Sequence, residues 1–249
     1  MFKSKNIFYS VFALNLLVLV LPLLSSCGKS DTVNPTGLNV QLQVVNLSPN
    51  SFPIELNINN QRVNSYYRYN ATPSYFYLTN TTQPLQIRST RVGDTVSIFS
   101  RDTIQYQPNT RYSLFFMGLY GDPEYKLRSL VTADDTEPLP EIGKGGKVRF
   151  INGSPRSGTG FDIWANGAPV IKNAAFGKVS NYVVLPPGNY TFRAYATNTS
   201  NNSLGEIANI TIQDGRLYTL YSRGIIGRAL TDTAAFGMAL VPNNPTIIR

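Results

Sequence analysis

Catalysis at a protein surface needs a nucleophile, a base or a metal ligand, and this chain of 249 residues is short of all three. It contains no histidine, so neither a Ser–His–Asp nor a Cys–His arrangement can be built, and the usual imidazole sites for zinc and iron are missing. Serine–lysine chemistry stays open in principle, but Lys172 and Lys178 have no evident serine partner. Gly143-Lys144-Gly145-Gly146-Lys147 is glycine-rich without the spacing of a phosphate-cradling loop, and reads instead as a flexible linker. Paired carboxylates remain. Asp122 with Glu124 in GDPEY, and Asp134-Asp135 with Glu137 in ADDTEP, are the candidates for acid–base or calcium chemistry. Both lie in proline-containing loop sequence, where acids commonly serve turns and solubility. The sequence therefore predicts no enzyme: no catalytic residue, no metal site and no cofactor.

The only cysteine offers different chemistry. Lys3 and Lys5 precede an apolar run from Val11 to Leu24, which is short for a membrane span of about 20 residues and fits a secretory signal; an uncleaved anchor is the alternative. Leu24-Ser25-Ser26-Cys27 resembles a bacterial lipobox, in which the Cys27 thiol takes a lipid and cleavage leaves it as the first residue. Acyl chains contribute about 0.8 kcal/mol per buried CH₂, enough to hold a multiply acylated terminus at a membrane. Residues 27–37 then form a polar tether broken by Pro35. Gly28 stands where aspartate tends to retain lipoproteins at the inner membrane, so the resemblance favours the outer membrane. Lys29 and Asp31 resemble the surface-export tags of Bacteroidetes lipoproteins, which points to the cell surface more than to the periplasmic face.

Binding chemistry rests on aromatic side chains. Trp164 and some of Tyr66, Tyr67 and Tyr69 are predicted to form an exposed patch that stacks on a glycan or grips a protein. The competing expectation is that these rings pack between domains. Asp-Thr-apolar triplets at Thr32, Thr95, Thr103 and Thr233 resemble the O-glycosylation pattern of Bacteroidetes, with Thr32 in the tether the most accessible.

Tyr, Phe, Thr, Val and Ile are frequent, and Gly, Pro and Asn punctuate the chain every ten residues or so, which describes many short strands. The formal charge is +8 and falls to +6 when Lys3 and Lys5 are removed. It is uneven: residues 38–137 balance eight basic against eight acidic, whereas 144–249 hold eleven basic against four acidic. The cations are scattered singly along the strands, so no nucleic-acid partner is expected.

An internal repeat organises these elements. VVNLSPNSFPIELNINNQRV, from Val44, aligns with RFINGSPRSGTGFDIWANGAPV, from Arg149; Asn46, Ser48 and Pro49 match Asn152, Ser154 and Pro155. Later, RYSLFFMG matches RLYTLYSRG with one residue inserted. Ile54, Leu56 and Ile58 alternate with polar residues, as a strand with one buried face requires. Phe161, Ile163 and Ala165 do the same and would leave Trp164 on the other face. Asn166-Gly167 reads as a hairpin turn. The second unit, VRFINGSP, FDIWANGAPV, YVVLPPGNYTFRAY and LYTLYSRG, resembles the bacterial domain of unknown function four-three-nine-seven, over most of residues 147–225. The first is a diverged copy without the Pro-Pro-Gly turn. The resemblance implies a β-sandwich and an extracytoplasmic role, and carries no catalytic residue with it. The expected organisation is a signal peptide over 1–26, a lipidated tether over 27–37, and two immunoglobulin-like antiparallel β-sandwiches over 38–136 and 147–249, joined by a linker over 137–146. The expected role is non-catalytic binding or display at the cell surface, with a structural part in an envelope assembly as the alternative and a hydrolase least favoured.

Overall fold

A computed structural model of the chain describes residues 38–58, 61–63, 66–71, 73–78, 84–90, 97–101 and 104–243. Among them there are strands and turns and no helix. The first copy contains β1 (Gln41–Asn46), β2 (Ile54–Ile58), β3 (Gln61–Arg62), β4 (Phe76–Tyr77), β5 (Leu85–Ser89), β6 (Ser97–Arg101), β7 (Arg111–Met117) and β8 (Arg128–Ala133). The second contains β9 (Gly146–Asn152), β10 (Phe161–Ala165), β11 (Ala168–Ala174), β12 (Val183–Leu185), β13 (Gly188–Ala196), β14 (Gly205–Ile212), β15 (Leu217–Arg223) and β16 (Gly237–Pro242). The sheets run β4-β1-β7-β8 and β3-β2-β5-β6 in one copy, and β12-β9-β15-β16 and β11-β10-β13-β14 in the other. Each second-copy strand is its first-copy equivalent shifted by eight, so the duplication read in the sequence is a duplication of topology.

The sandwiches are antiparallel with one exception each. β1 pairs parallel with β7, and β9 with β15. Parallel neighbours need a long crossover between them, and here the other sheet of the same sandwich supplies it.

Local chemistry explains the repeated motifs. Asn152 is buried at the end of β9; its Oδ1 accepts the Ser154 N–H at 3.0 Å, while its Nδ2 donates to Ser157 Oγ at 3.0 Å and to the Ala174 carbonyl at 2.8 Å. Asn46 does the same with the Ser48 N–H and the Tyr67 carbonyl. The Asn-x-Ser-Pro signature is thus a buried amide that pins the turn to the strand it leaves. Asn166 and Gly167 both take positive φ, 47° and 85°, as a two-residue hairpin turn requires. In the Pro-Gly-x-Tyr turn, Tyr190 Oη donates to the Pro186 carbonyl at 2.9 Å. Tyr112 Oη accepts the Gln107 N–H and Tyr218 Oη accepts the Gln213 N–H, giving each copy the tyrosine corner of immunoglobulin-like sandwiches.

Side-chain alternation sets the cores. Leu42, Val44, Leu114 and Phe116 point between the sheets of the first copy, against Ile54, Leu56, Leu85 and Ile87. Val148, Phe150 and Leu220 meet Phe161, Ile163, Phe192 and Ala194 in the second. The opposite faces of the same strands are also buried. Val45, Leu47, Phe115 and Met117 pack against Ile151, Tyr221 and Val241 in a third core between the copies. The described residues therefore stack four sheets deep, with β1, β7, β9 and β15 buried on both faces.

The connection between the copies is not the free linker expected from its glycines. The Gly143 and Gly145 N–H groups both donate to the Asp214 carboxylate at 2.8 Å, and Lys147 Nζ holds Glu137 at 2.8 Å. Gly145 has φ +104° and lies against the Leu185 carbonyl, where a Cβ would sit at 1.9 Å.

Candidate functional site

The seam between the copies changes character along its length. Past the apolar third core, the same strand faces carry Gln43, Ser113, Arg149 and Thr219. Arg149 Nη2 lies 2.6 Å from Asp134 Oδ1, with side-chain exposures of 7% and 0%. The guanidinium also donates to Thr219 Oγ1 at 2.9 Å, Thr132 Oγ1 at 2.9 Å and the Ala133 carbonyl at 3.0 Å. Asp134 accepts from Ser113 Oγ, from Tyr75 Oη at 2.8 Å, and from Asn243 Nδ2 at 3.1 Å. Burial pushes the Asp134 carboxyl up, against the opposing pull of Arg149 and the Ser113, Tyr75 and Thr132 hydroxyls. Burial likewise raises the Tyr75 phenol, and the negative Asp134 beside it adds to that. Tyr182, with the Arg149 guanidinium 5.0 Å above its ring, is pushed up to about 12 by burial. These groups are spent on one another. They set the register of two sheets.

Of the other carboxylates considered for acid–base work, Asp122, Asp135 and Glu137 are engaged in the same way. Asp135 accepts the Arg111 N–H at 3.0 Å, Glu137 pairs with Lys147, and Asp122 caps the Glu124 and Tyr125 N–H groups while binding Arg156 at 2.8 Å. No group of three or more metal-ligating side chains occurs among the described residues.

Two clefts open along the seam, on either side of the segment 225–236 that links β15 to β16. One, of about 440 Å³, is lined by Asn50, Tyr120, Asp122, Arg156 and Arg228. Asn50 and Arg156 are equivalent residues of the two Ser-Pro turns, brought together by the duplication. The other, of about 430 Å³, is lined by Tyr69, Asn70, Arg223, Leu230, Thr233 and Phe236. Tyr69 and Asn70 come from a turn of the first copy, and Arg223 from the end of β15. Arg223 Nη1 is 3.5 Å from Tyr69 Oη, and its guanidinium carbon is 5.8 Å from the ring centroid. Burial raises the Tyr69 phenol, with Arg223 opposing. On the rim, Asp232 accepts the Ala234 N–H and an Arg228 N–H, each at 2.8 Å, and both hold its carboxyl below the usual range.

The four aromatic residues from which a patch was expected have different surroundings. Tyr69 lines the second cleft. Tyr66 is exposed, with Arg62 at 4.9 Å over its ring. Tyr67 is half-buried and exchanges backbone hydrogen bonds with Ile54. Trp164 stands on the outer face of β10, 5.3 Å from Tyr195, with its Nε1 buried and lacking an acceptor among the described residues. Trp164 belongs to the second copy and the three tyrosines to the first. Thr233 is exposed at the mouth of the cleft that holds Tyr69. Cys27, Thr32, Thr95 and Thr103 fall outside the described residues.

Inspection of the sequence singled out Thr233 in the 225–236 segment but not Arg223, and did not foresee that Arg223, Asn70 and Thr233 line one cleft. A signal existed: where the first copy puts Met117 into the third core, the second copy puts Arg223 at the equivalent position.

The model of a family described as a domain of unknown function (DUF4397) matches residues 40–159 and again 146–244. No curated protein is similar enough to the chain to count as a match. The two matches follow the two sandwiches and take in both buried asparagines, both Ser-Pro turns and both tyrosine corners, and the chain belongs to the DUF4397 family, whose domain it carries twice.

Proposed function

We propose that this chain is a lipid-anchored protein of the bacterial outer envelope that binds a glycan or a protein at the cell surface without catalysing a reaction. Lipid at Cys27 and a short polar tether would hold the four-sheet body near the membrane. The observation that carries the binding reading is the cleft at Tyr69 and Arg223: an aromatic ring, a guanidinium, an amide and hydroxyls on walls contributed by both copies. The third core and the Arg149–Asp134 pair hold those walls in one arrangement, which lowers the entropy cost of binding. Of the carboxylates that could have served a hydrolase, Asp135, Glu137, Asp134 and Asp122 are tied to Arg111, Lys147, Arg149 and Arg156.

A structural role in an envelope assembly has its own support. Leu139 and Ile142 are exposed in the connecting segment, Ile142 to 81%, and Val184 is exposed on edge strand β12. Two measurements separate the readings. Protease shaving of intact cells, with a periplasmic control protein, should remove residues 147–249 from the immunoblot if the body faces outward. The immobilised chain should retain polysaccharide or protein from fractionated envelopes, and Tyr69→Ala should abolish that retention. Retention unchanged by Tyr69→Ala would sink the cleft reading in favour of assembly.

A further inference from the structure

We infer that the cleft between the copies takes an acidic saccharide, with a sugar carboxylate on Arg223 and a sugar face against the Tyr69 ring. This rests on the binding reading above and narrows it to one ligand class.

Arg223 is the starting point. Around this seam Arg149, Arg156 and Arg228 each hold a carboxylate, at 2.6, 2.8 and 2.8 Å. Arg223 has no carboxylate partner among the described residues, and its Nε is buried without an acceptor. Its contact with Tyr69 Oη, at 3.5 Å, lies at the outer limit of a hydrogen bond. A half-buried guanidinium without a counter-charge favours an anion on its outer nitrogens, and a carboxylate matches its planar geometry. Asp232 also lines the cleft, where its two oxygens accept from Arg228 and the Ala234 N–H rather than from Arg223.

The surroundings decide between saccharide and peptide. Asn70, Thr231 and Thr233 supply an amide and two hydroxyls, while Tyr69 supplies a flat ring that suits the C–H face of a sugar. A peptide docking by strand addition would need a free strand edge, which the turns at residues 69–70 and 230–234 do not offer. The cleft's volume of about 430 Å³ is within the usual range for small-ligand sites. The excess of basic over acidic residues in 144–249, eleven to four, favours an anionic ligand at long range.

The test uses the full chain in detergent, titrated calorimetrically with short uronic acid oligosaccharides and with the same oligosaccharides after reduction of their carboxyls to alcohols. The acidic form should bind at least ten times more tightly. Arg223→Gln should erase that preference, Arg223→Lys should keep part of it, and Tyr69→Ala should weaken both forms. Thermal transitions within a few degrees of the parent would show that the variants fold. Equal affinity for acidic and reduced forms would overturn the inference while leaving glycan binding standing. A preference that survives Arg223→Gln would overturn it as well. Binding of neither form would also overturn it, while envelope retention that is lost in Tyr69→Ala would still uphold the wider reading with a different ligand.

Discussion

Phe115 and Tyr221 occupy the same position in the two copies, and their rings meet each other across the seam with centroids 5.9 Å apart and planes at 60°. Other equivalences run through the same surface: Gln43 donates to Ser113 in the first copy as Arg149 donates to Thr219 in the second. The seam thus joins the same face of each sandwich, as an isologous dimer interface does. Divergence has made one half of its polar region a neutral amide and the other a buried cation.

Such a seam should make the copies unfold together. Trp164 is the single tryptophan and lies in the second copy, so its fluorescence follows that copy alone, whereas far-ultraviolet dichroism follows both. The two probes should give coincident denaturation curves. Phe115→Ala, which empties a fully buried site in the third core, should cost about 3–5 kcal/mol and shift both probes. Two separate transitions in the unmodified protein would contradict the shared core.

Removing one member of the buried pair should be worse than removing both. Arg149→Met would leave the Asp134 carboxylate, fully buried, with hydroxyl and amide donors but no counter-charge, at a cost of about 3–5 kcal/mol. Adding Asp134→Asn should restore more than half of that loss, since the amide oxygen can still accept from Ser113 and Tyr75. Urea midpoints of the two single variants and the double variant measure this; additive losses would show that the pair is uncoupled.

Two glycines separate backbone strain from steric exclusion. Gly158 has φ +59° with nothing within 4 Å of a Cβ position, so Gly158→Ala should cost only about 1–2 kcal/mol. Gly145→Ala adds a direct clash with the Leu185 carbonyl and should cost more than about 3 kcal/mol. Equal thermal shifts in the two variants would mean that the connecting segment gives way without cost.

Alkali should loosen the seam. Tyr182 is raised from the ordinary 10 to about 12, and Tyr69, Tyr75 and Tyr221 are raised too, in each case chiefly by burial. A folded-state value above the unfolded one means that the folded protein binds the proton more tightly. The stability from these phenols is complete below pH 10 and is lost as pH rises through their folded values. Urea midpoints should therefore hold up to about pH 10 and fall toward pH 12, in step with tyrosinate absorbance, and Tyr182→Phe should shrink the fall. A midpoint that is flat through pH 12 would show these rings to be hydrated.

Much of each sandwich was legible because its determinants are near neighbours in the chain. Alternation in Phe161, Ile163 and Ala165 named the core face of β10, and Asn166-Gly167 named its turn. The Asn-x-Ser-Pro repeat marked both pinned turns, although nothing in the string shows that the asparagine side chain is buried and bonded inward. Patterning also carried a hint that was passed over. LFFM in β7 is apolar without a break and Phe150-Ile151 in β9 are apolar neighbours, as in strands covered on both faces.

The amino-acid sequence alone determined the strands and turns, which follow from residue type and spacings of two to ten positions, and also the duplication, which shows as the same motifs recurring in the same order, and the absence of imidazole. Which face meets which was decided only in three dimensions, because both faces of β1, β7, β9 and β15 are apolar enough to bury and only packing chooses the partner. The tertiary structure likewise set Asp134 against Arg149, 15 residues on, and Tyr69 against Arg223, 154 residues on. No local propensity encodes those pairings; they follow from two like surfaces closing on each other.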